Sequence, residues 1–187
     1  MSKHKGAQTK QHILDSAMSF IVREGIEKVG VNKVIQEAQV SKGSFYHSFN
    51  DMKHLMKELA IYAFEKSLQD LSIPSHSSLE DIVEHLGLHI FHSVRNKSQV
   101  YYLLFLCISK SFIDSELKET FQGIFNQLVQ KNSVSLQIVQ RGNQENLKVK
   151  IHSLDMLVLG FIVHCHFLED EEHLLTIWKH MTSHILE

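Results

Sequence analysis

Four side chains on one short segment carry the most specific chemistry in this chain: Lys42, Ser44, Tyr46 and His47. A cation, a hydroxyl, a phenol and an imidazole set so close together suit phosphate oxygens and the base edges of a major groove. Apolar residues flank and interleave with them: Val34, Ile35 and Ala38, then Val40, then Phe45 and Phe49. That spacing reads as two short helices, residues 31–38 and 42–49, joined by the turn Gln39–Val40–Ser41. The apolar residues would pack the pair and hold the second helix proud of the surface. A helical corner of no function has the same spacing, so spacing alone leaves DNA binding and plain packing both open.

Other reactive groups are more dispersed. Fourteen histidines include His85, His89 and His92, spaced i, i+4, i+7 on one helix face, and a looser group of His164, Cys165, His166 and His173. Either would need a further ligand to hold zinc or copper. A polar border stripe is the ordinary reading, so no metal or cofactor is assigned. His180 and His184 read as surface or interface residues. Cys107 and Cys165 lie inside apolar segments, which suits packing rather than reactivity. No nucleophile elbow, phosphate loop, dinucleotide fingerprint or helical zinc-protease motif is present. Glu169 to His173 is Glu-x-x-x-His, not the Glu-x-x-His of di-metal bundles. No catalytic residue is assigned, and the expectation is a protein that is not an enzyme. The rival from another class is a helical metal-binding enzyme, or an adaptor without DNA binding.

The elements that must position these groups are helical. The chain has 187 residues, 43% of them hydrophobic and 21% charged, and a single proline, Pro74, to interrupt helical hydrogen bonding. A first helix is expected over residues 9–24, with Ile13, Leu14, Ala17, Phe20 and Ile21 recurring at three and four and Gly25 ending it. Asn32 is placed to cap the second helix, and Asn50 with Asp51 a fourth that ends near Leu71. Ser77 and Glu80 have capping-box spacing ahead of Ile82, Val83, Leu86, Ile90 and Val94. Val100 to Ile108 is apolar on all sides and expected to be central, followed by a long amphipathic stretch that bends or breaks before ending near Arg141–Gly142–Asn143. Two more helices are expected over 153–168 and 170–186, with acidic residues 169–172 at the positive start of the last. The fold class is all-α, about nine helices.

Charge divides unevenly. Residues 1–60 carry nine Lys/Arg against six Asp/Glu, a balance of +3; residues 61–187 carry ten against fifteen, a balance of −5. A basic segment on an acidic body fits a phosphate-facing N-terminal part. The polar N-terminus shows no secretory pattern and Val100 to Ile108 is too short to span a bilayer, so the expected location is cytoplasmic.

The run Ala38–Gln39–Val40–Ser41–Lys42–Gly43–Ser44–Phe45–Tyr46–His47–Ser48–Phe49 resembles the signature of the TetR family of transcriptional regulators. Gly25 and Leu55 also fall where that family has them, and the resemblance covers about residues 9–60. It implies a helix-turn-helix DNA-binding domain over residues 1–50, a connecting helix 4 over 51–71, and a helical effector-binding and dimerisation domain over 72–187. It implies a homodimeric repressor that occupies a palindromic double-stranded operator and leaves it when a small apolar or amphipathic effector binds. A metal- or thiol-responsive regulator of the same fold is the alternative.

By that resemblance Lys42, Gly43 and Ser44 approach bases, Tyr46 and His47 meet phosphates, Asn32 and Lys33 flank the backbone, and Ser41 joins the DNA-binding set. Met52 stands at the family's helix-4 lysine, with Lys53 one residue away to replace it. Gln39 stands where glycine is usual, so positive φ on a non-glycine residue is expected there. Ile35 replaces a small residue. The helices that enclose an effector in this family would bring Tyr62, Phe91, Tyr101, Tyr102, Phe105, Phe121 and Phe125. The last two helices would form the dimer interface through Leu157, Phe161, His164, Leu168, Trp178, Met181 and Ile185, with Gly160 allowing close approach.

Overall fold

The computed structural model describes residues 2–69, 78–139 and 144–186, and the side chains of residues 6–69, 78, 80–127 and 148–186 among them. Described residues form nine α-helices: α1 Ser2–Glu24, α2 Val31–Glu37, α3 Lys42–Ser48, α4 Met52–Ser67, α5 Leu79–Asn96, α6 Ser98–Lys110, α7 Ser115–Val139, α8 Gln144–Phe167 and α9 Glu171–Leu186, with a 3-10 turn at Ile26–Lys28. They fall into two compact units. The first comprises residues 1–67 and 99–122, the second residues 68–98 and 123–187. Pro74, Ser77 and Arg141 lie outside the described residues. Within them α7 runs as one helix to Val139, which corrects the expected bend or break along it, and α1 and α8 begin earlier than their apolar periodicity starts.

In the first unit α1 packs on α2, α3 and α4. Ile13, Ala17, Ile21, Val34, Phe45, Phe49, Leu55 and Leu59 are fully buried, and burying a side chain of this kind stabilises by about 1.5–3 kcal/mol. α1 stops at Gly25, whose φ of 90° a residue with a Cβ rarely adopts. α6 buries Val100, Tyr101, Leu103, Leu104 and Cys107, but Tyr102 is 47% exposed. The expectation of a helix apolar and buried all round is therefore corrected: hydropathy cannot show which face of a uniformly apolar run meets water.

In the second unit α5, α8 and α9 pack pairwise. Its centre is Trp178, 1% exposed, whose indole N–H donates to the Val83 carbonyl at 2.8 Å while its ring lies 4.7 Å from Phe161. α5 opens with a capping box one residue beyond the expected pair. Ser78 Oγ accepts from the Asp81 amide at 3.1 Å, and the Asp81 carboxylate accepts from the Ser78 amide at 3.0 Å. The Ser78 hydroxyl, which also donates to that carboxylate at 2.8 Å, and then the Ser78 amide hold the Asp81 carboxyl below its ordinary range. Asp170 caps α9 by accepting from the His173 amide at 3.0 Å, and Glu171 and Glu172 occupy its first turn, as the acidic run suggests.

Candidate nucleic-acid interface

The joint between α2 and α3 sets the geometry of the site. α2 begins on Gly30 in extended conformation with no side-chain cap, so Asn32 is inside the helix and exposed rather than capping it. At the other end, the Gln39 amide donates to the Gln36 carbonyl and the Val40 amide to the Ile35 carbonyl, both at 3.2 Å. This pair of bonds closes a Schellman motif, which requires a left-handed residue between them. That residue is Gln39, with φ of 51°, the conformation expected from its place in the turn. The Ala38 carbonyl just before it takes a bond from outside the motif: His12 Nε2 on α1 donates to it at 2.8 Å. Arg23 on α1 reinforces the same clasp with a two-pronged pair to Glu37, 2.9 Å at each oxygen. The exposed pair holds the Glu37 carboxyl below its ordinary range and the guanidinium above its own. Sequence periodicity had no way to single out His12 or Arg23, because both act across helices.

Ser41 then starts α3: its Oγ accepts from the Ser44 amide at 3.0 Å and lies 2.9 Å from Ser44 Oγ. Phe45 and Phe49 anchor the helix inward, fully buried and with ring centroids 5.5 Å apart. The opposite face is open. Lys42, Gly43 and His47 are exposed and Tyr46 is 46% exposed, with Lys42 Nζ 5.9 Å from the centre of its ring. Lys42 with Tyr46 and Gly43 with His47 stand one turn apart, so α3 presents two parallel rows. Ser44 is half-buried and divides its bonding with Ser41. Asn32 and Lys33 are exposed on α2. At the start of α4, Asp51 accepts from the His54 amide at 2.8 Å. Lys53 is exposed and reaches Glu116 of α7 at 3.5 Å.

The family description "Bacterial regulatory proteins, tetR family" matches residues 13–59, the stretch that builds this motif. Over those residues the chain is similar to the TetR family. It is 31% identical over 94 residues to the Transposon Tn10 TetC protein of Escherichia coli, covering 47% of each chain. It is 30% identical over 74 residues to the HTH-type transcriptional repressor NemR of Escherichia coli, covering 38% of this chain and 37% of NemR. The chain thus spans less than half of the curated relatives it matches. Two solved structures share the fold along nearly the whole chain. Salmonella enterica GusR has a TM-score of 0.80 at 14% identity, covering 96% of this chain and 95% of its own. The multidrug binding protein EbrR complexed with imidazole has a TM-score of 0.61 at 16% identity, covering 92% and 93%. The TetR likeness in sequence is thus concentrated where α2 and α3 lie.

The remaining expected residues are placed as follows. In the first unit Tyr62, Tyr101 and Phe121 are buried, Phe105 is partly so and Tyr102 is exposed. The Tyr62 hydroxyl donates to Asp15, and burial together with that carboxylate raises the phenol above its ordinary range. In the second unit Phe91 is buried and Phe125 half-buried.

The interface set needs correction. Phe161 and Trp178 are 4% and 1% exposed and stack on each other inside the second unit, so their apolar character serves that unit's own core. The outward apolar stripe on α8 is Val149, Met156, Val163 and Phe167, respectively 61%, 75%, 37% and 73% exposed. Leu168 and Met181 are exposed as expected, His164 is exposed, and Leu157 and Ile185 are half-buried. Gly160 is open, with nothing within 4 Å of a Cβ placed there; the close approach is instead at Gly87. The α8 stripe was hard to read because α8 is apolar on most of its circumference, so periodicity does not assign its faces. By length and composition alone Lys148–Phe167 could also cross a bilayer.

Each histidine of the α5 stripe takes its own partner. His85 Nδ1 lies 2.8 Å from the Asp81 carbonyl, His89 Nε2 3.3 Å from Ser93 Oγ, and His92 3.8 Å from Glu171. Among the described residues no group of three or more His, Cys, Asp or Glu side chains is gathered to hold a metal ion. Both thiols are buried, and that burial pushes Cys107 up to about 12 and Cys165 up to about 11.

Proposed function

We propose that this TetR-family protein is a sequence-specific, DNA-binding transcriptional repressor that occupies an inverted-repeat operator as a homodimer and is released by a small apolar or amphipathic effector. One observation carries the reading: a Schellman-ended α2 delivers α3 outward with Lys42, Gly43, Tyr46 and His47 exposed. A helix held this way enters a major groove, with its N-terminal residues at base edges. NemR, 30% identical over 74 residues, is named a transcriptional repressor. Ser41 and Ser44 would support phosphate contacts, and Asn32, Lys33 and Lys53 would flank the backbone.

The dimer is supported by the α8 stripe, which leaves Met156 and Phe167 largely in water in the single chain. A second copy packed on α8 and α9 would cover it, and two-fold symmetry would repeat α3 on the other half-site. The charged ends of the apolar stretch, Lys148 and Lys150, and Asp155 within it, fit a protein partner better than a bilayer. The reading places the protein in the cytoplasm, with its DNA. An effector acts by binding the DNA-incompetent arrangement more tightly; affinity without that preference shifts nothing.

The test is fluorescence anisotropy on DNA from upstream of the protein's own gene, across a salt series. Specific binding should fall steeply with salt as counterions are released. Lys42→Ala should lower discrimination between sites, and Tyr46→Phe should weaken all sites alike. A double variant that binds as well as the unaltered protein would remove α3 from the interface.

A further inference from the structure

The exposed face of α9 carries a group that the DNA-binding reading does not use. His180 and His184 are both exposed, one helical turn apart, with ring centroids 4.6 Å from each other and planes at 64°. His184 Nδ1 lies 2.8 Å from the His180 carbonyl oxygen. A carbonyl can only accept, so in the neutral ring Nδ1 carries the hydrogen and Nε2 the lone pair. Fixing one ring nitrogen on a backbone carbonyl is the arrangement that orients a metal-ligating imidazole. Ser183 Oγ donates to the same carbonyl at 2.8 Å. Both histidines lie in the last two turns of α9, where the negative end of the helix favours a cation. Lys150 already uses that end, donating to the Leu186 carbonyl at 2.6 Å.

We propose that His180 and His184 form a two-imidazole site for a late first-row divalent metal ion, of the copper, nickel or zinc class. Imidazole nitrogen suits these ions, and a pair on one helix face fills two coordination positions. The rings are already side by side, so binding needs little reordering of the side chains.

The site lies against the assembly face. Ile177 and Met181, 41% and 46% exposed, run alongside the pair on α9. With only two protein ligands the ion keeps positions open, and a second copy on that face supplies donors to them. Metal therefore tightens the homodimer. This last step rests on the dimer reading above; the binding of the ion does not.

The experiment titrates the full, metal-stripped chain with zinc and, separately, nickel, reading binding by calorimetry and mass by light scattering over a dilution series. The expected result is saturable binding that falls at least about tenfold in His180→Ala and in His184→Ala. A double His85→Ala, His89→Ala variant should bind as the unaltered chain does. All four substitutions are of exposed or half-exposed side chains, and circular dichroism checks that each variant is folded. Unchanged affinity in both α9 variants, or loss confined to the α5 variant, overturns the site. Dimer dissociation shifted to lower concentration by metal, and not in His184→Ala, establishes the coupling. A dimer indifferent to bound metal overturns the coupling, whereas a chain monomeric throughout overturns the dimer reading and leaves the titration to judge the site.

Discussion

Replacing Gly87 by alanine probes a close approach of α5 and α9 in the second unit. A Cβ at Gly87 would stand 2.5 Å from both Cδ1 and Nε1 of Trp178 and 3.0 Å from Cε2. Non-bonded carbons rest at about 3.5–4.0 Å, so the overlap is about 1 Å. The indole has little room to yield: it is 1% exposed, bonded through its N–H to Val83, and stacked on Phe161. Relief comes from tilting the ring, which breaks that bond, or from backing α9 away from α5, which opens voids. Overpacking costs about 1–3 kcal/mol. Stranding the buried N–H adds about 1–3 kcal/mol if the ring tilts. Alanine in place of glycine inside a helix returns about 1 kcal/mol. The net loss is about 2 kcal/mol, which in a chain of this size lowers Tm by about 4–8 °C. Thermal unfolding followed by tryptophan emission reports directly, since Trp178 is the chain's single tryptophan. Gly123→Ala is the control: nothing lies within 4 Å of a Cβ there, so the same change in α7 should raise Tm by about 2–4 °C. If Gly87→Ala melts at or above the unaltered protein with the same emission spectrum, the α5–α9 approach does not depend on glycine.

Three further outcomes follow from particular residues. Gln39→Gly should relieve about 1 kcal/mol of left-handed strain and give back part of it through the freer unfolded chain. The net gain is about 0.5 kcal/mol in denaturant melts, and a loss of stability would mean the Gln39 side chain contributes more than its backbone costs. Asp155 is half-buried with Oδ2 unpartnered, and burial raises its carboxyl above the ordinary range. A folded-state value above the unfolded one makes its ionisation destabilising at neutral pH, with the penalty fading as pH falls through the carboxylate range. Asp155→Asn should therefore raise Tm at pH 7 and converge with the unaltered protein in acid; a constant difference would rule out titration as its source. Cys107 and Cys165, buried and pushed up to about 12 and about 11, should resist a thiol reagent in the native protein and label promptly in denaturant. Prompt native labelling would favour the thiol-responsive alternative.

Local chemistry was enough for much of this protein. Helices α1 to α4 follow from apolar residues at three- and four-residue spacing, with Phe45 and Phe49 one turn apart marking α3, whereas its Ser41 cap emerged only in the structure. The positive φ of Gln39 was legible only through the family resemblance, which places it where glycine is usual. Contacts between distant segments were not legible. His12 reaches the Ala38 carbonyl across 26 residues, and Trp178 reaches Val83 across 95, with Gly87 clearing its path. Nothing in periodicity marks such partners, because each is chosen by where two helices happen to cross. The same limit governed α8: an almost uniformly apolar helix buries some face, but which face depends on the positions of α5 and α9. Packing turned Phe161 and Trp178 inward and left Met156 and Phe167 to the water. Sequence therefore determined which segments are helices and which one carries the TetR-like signature, since those depend on neighbours along the chain. Tertiary structure decided which apolar residues are core and which are surface, since that depends on neighbours in space.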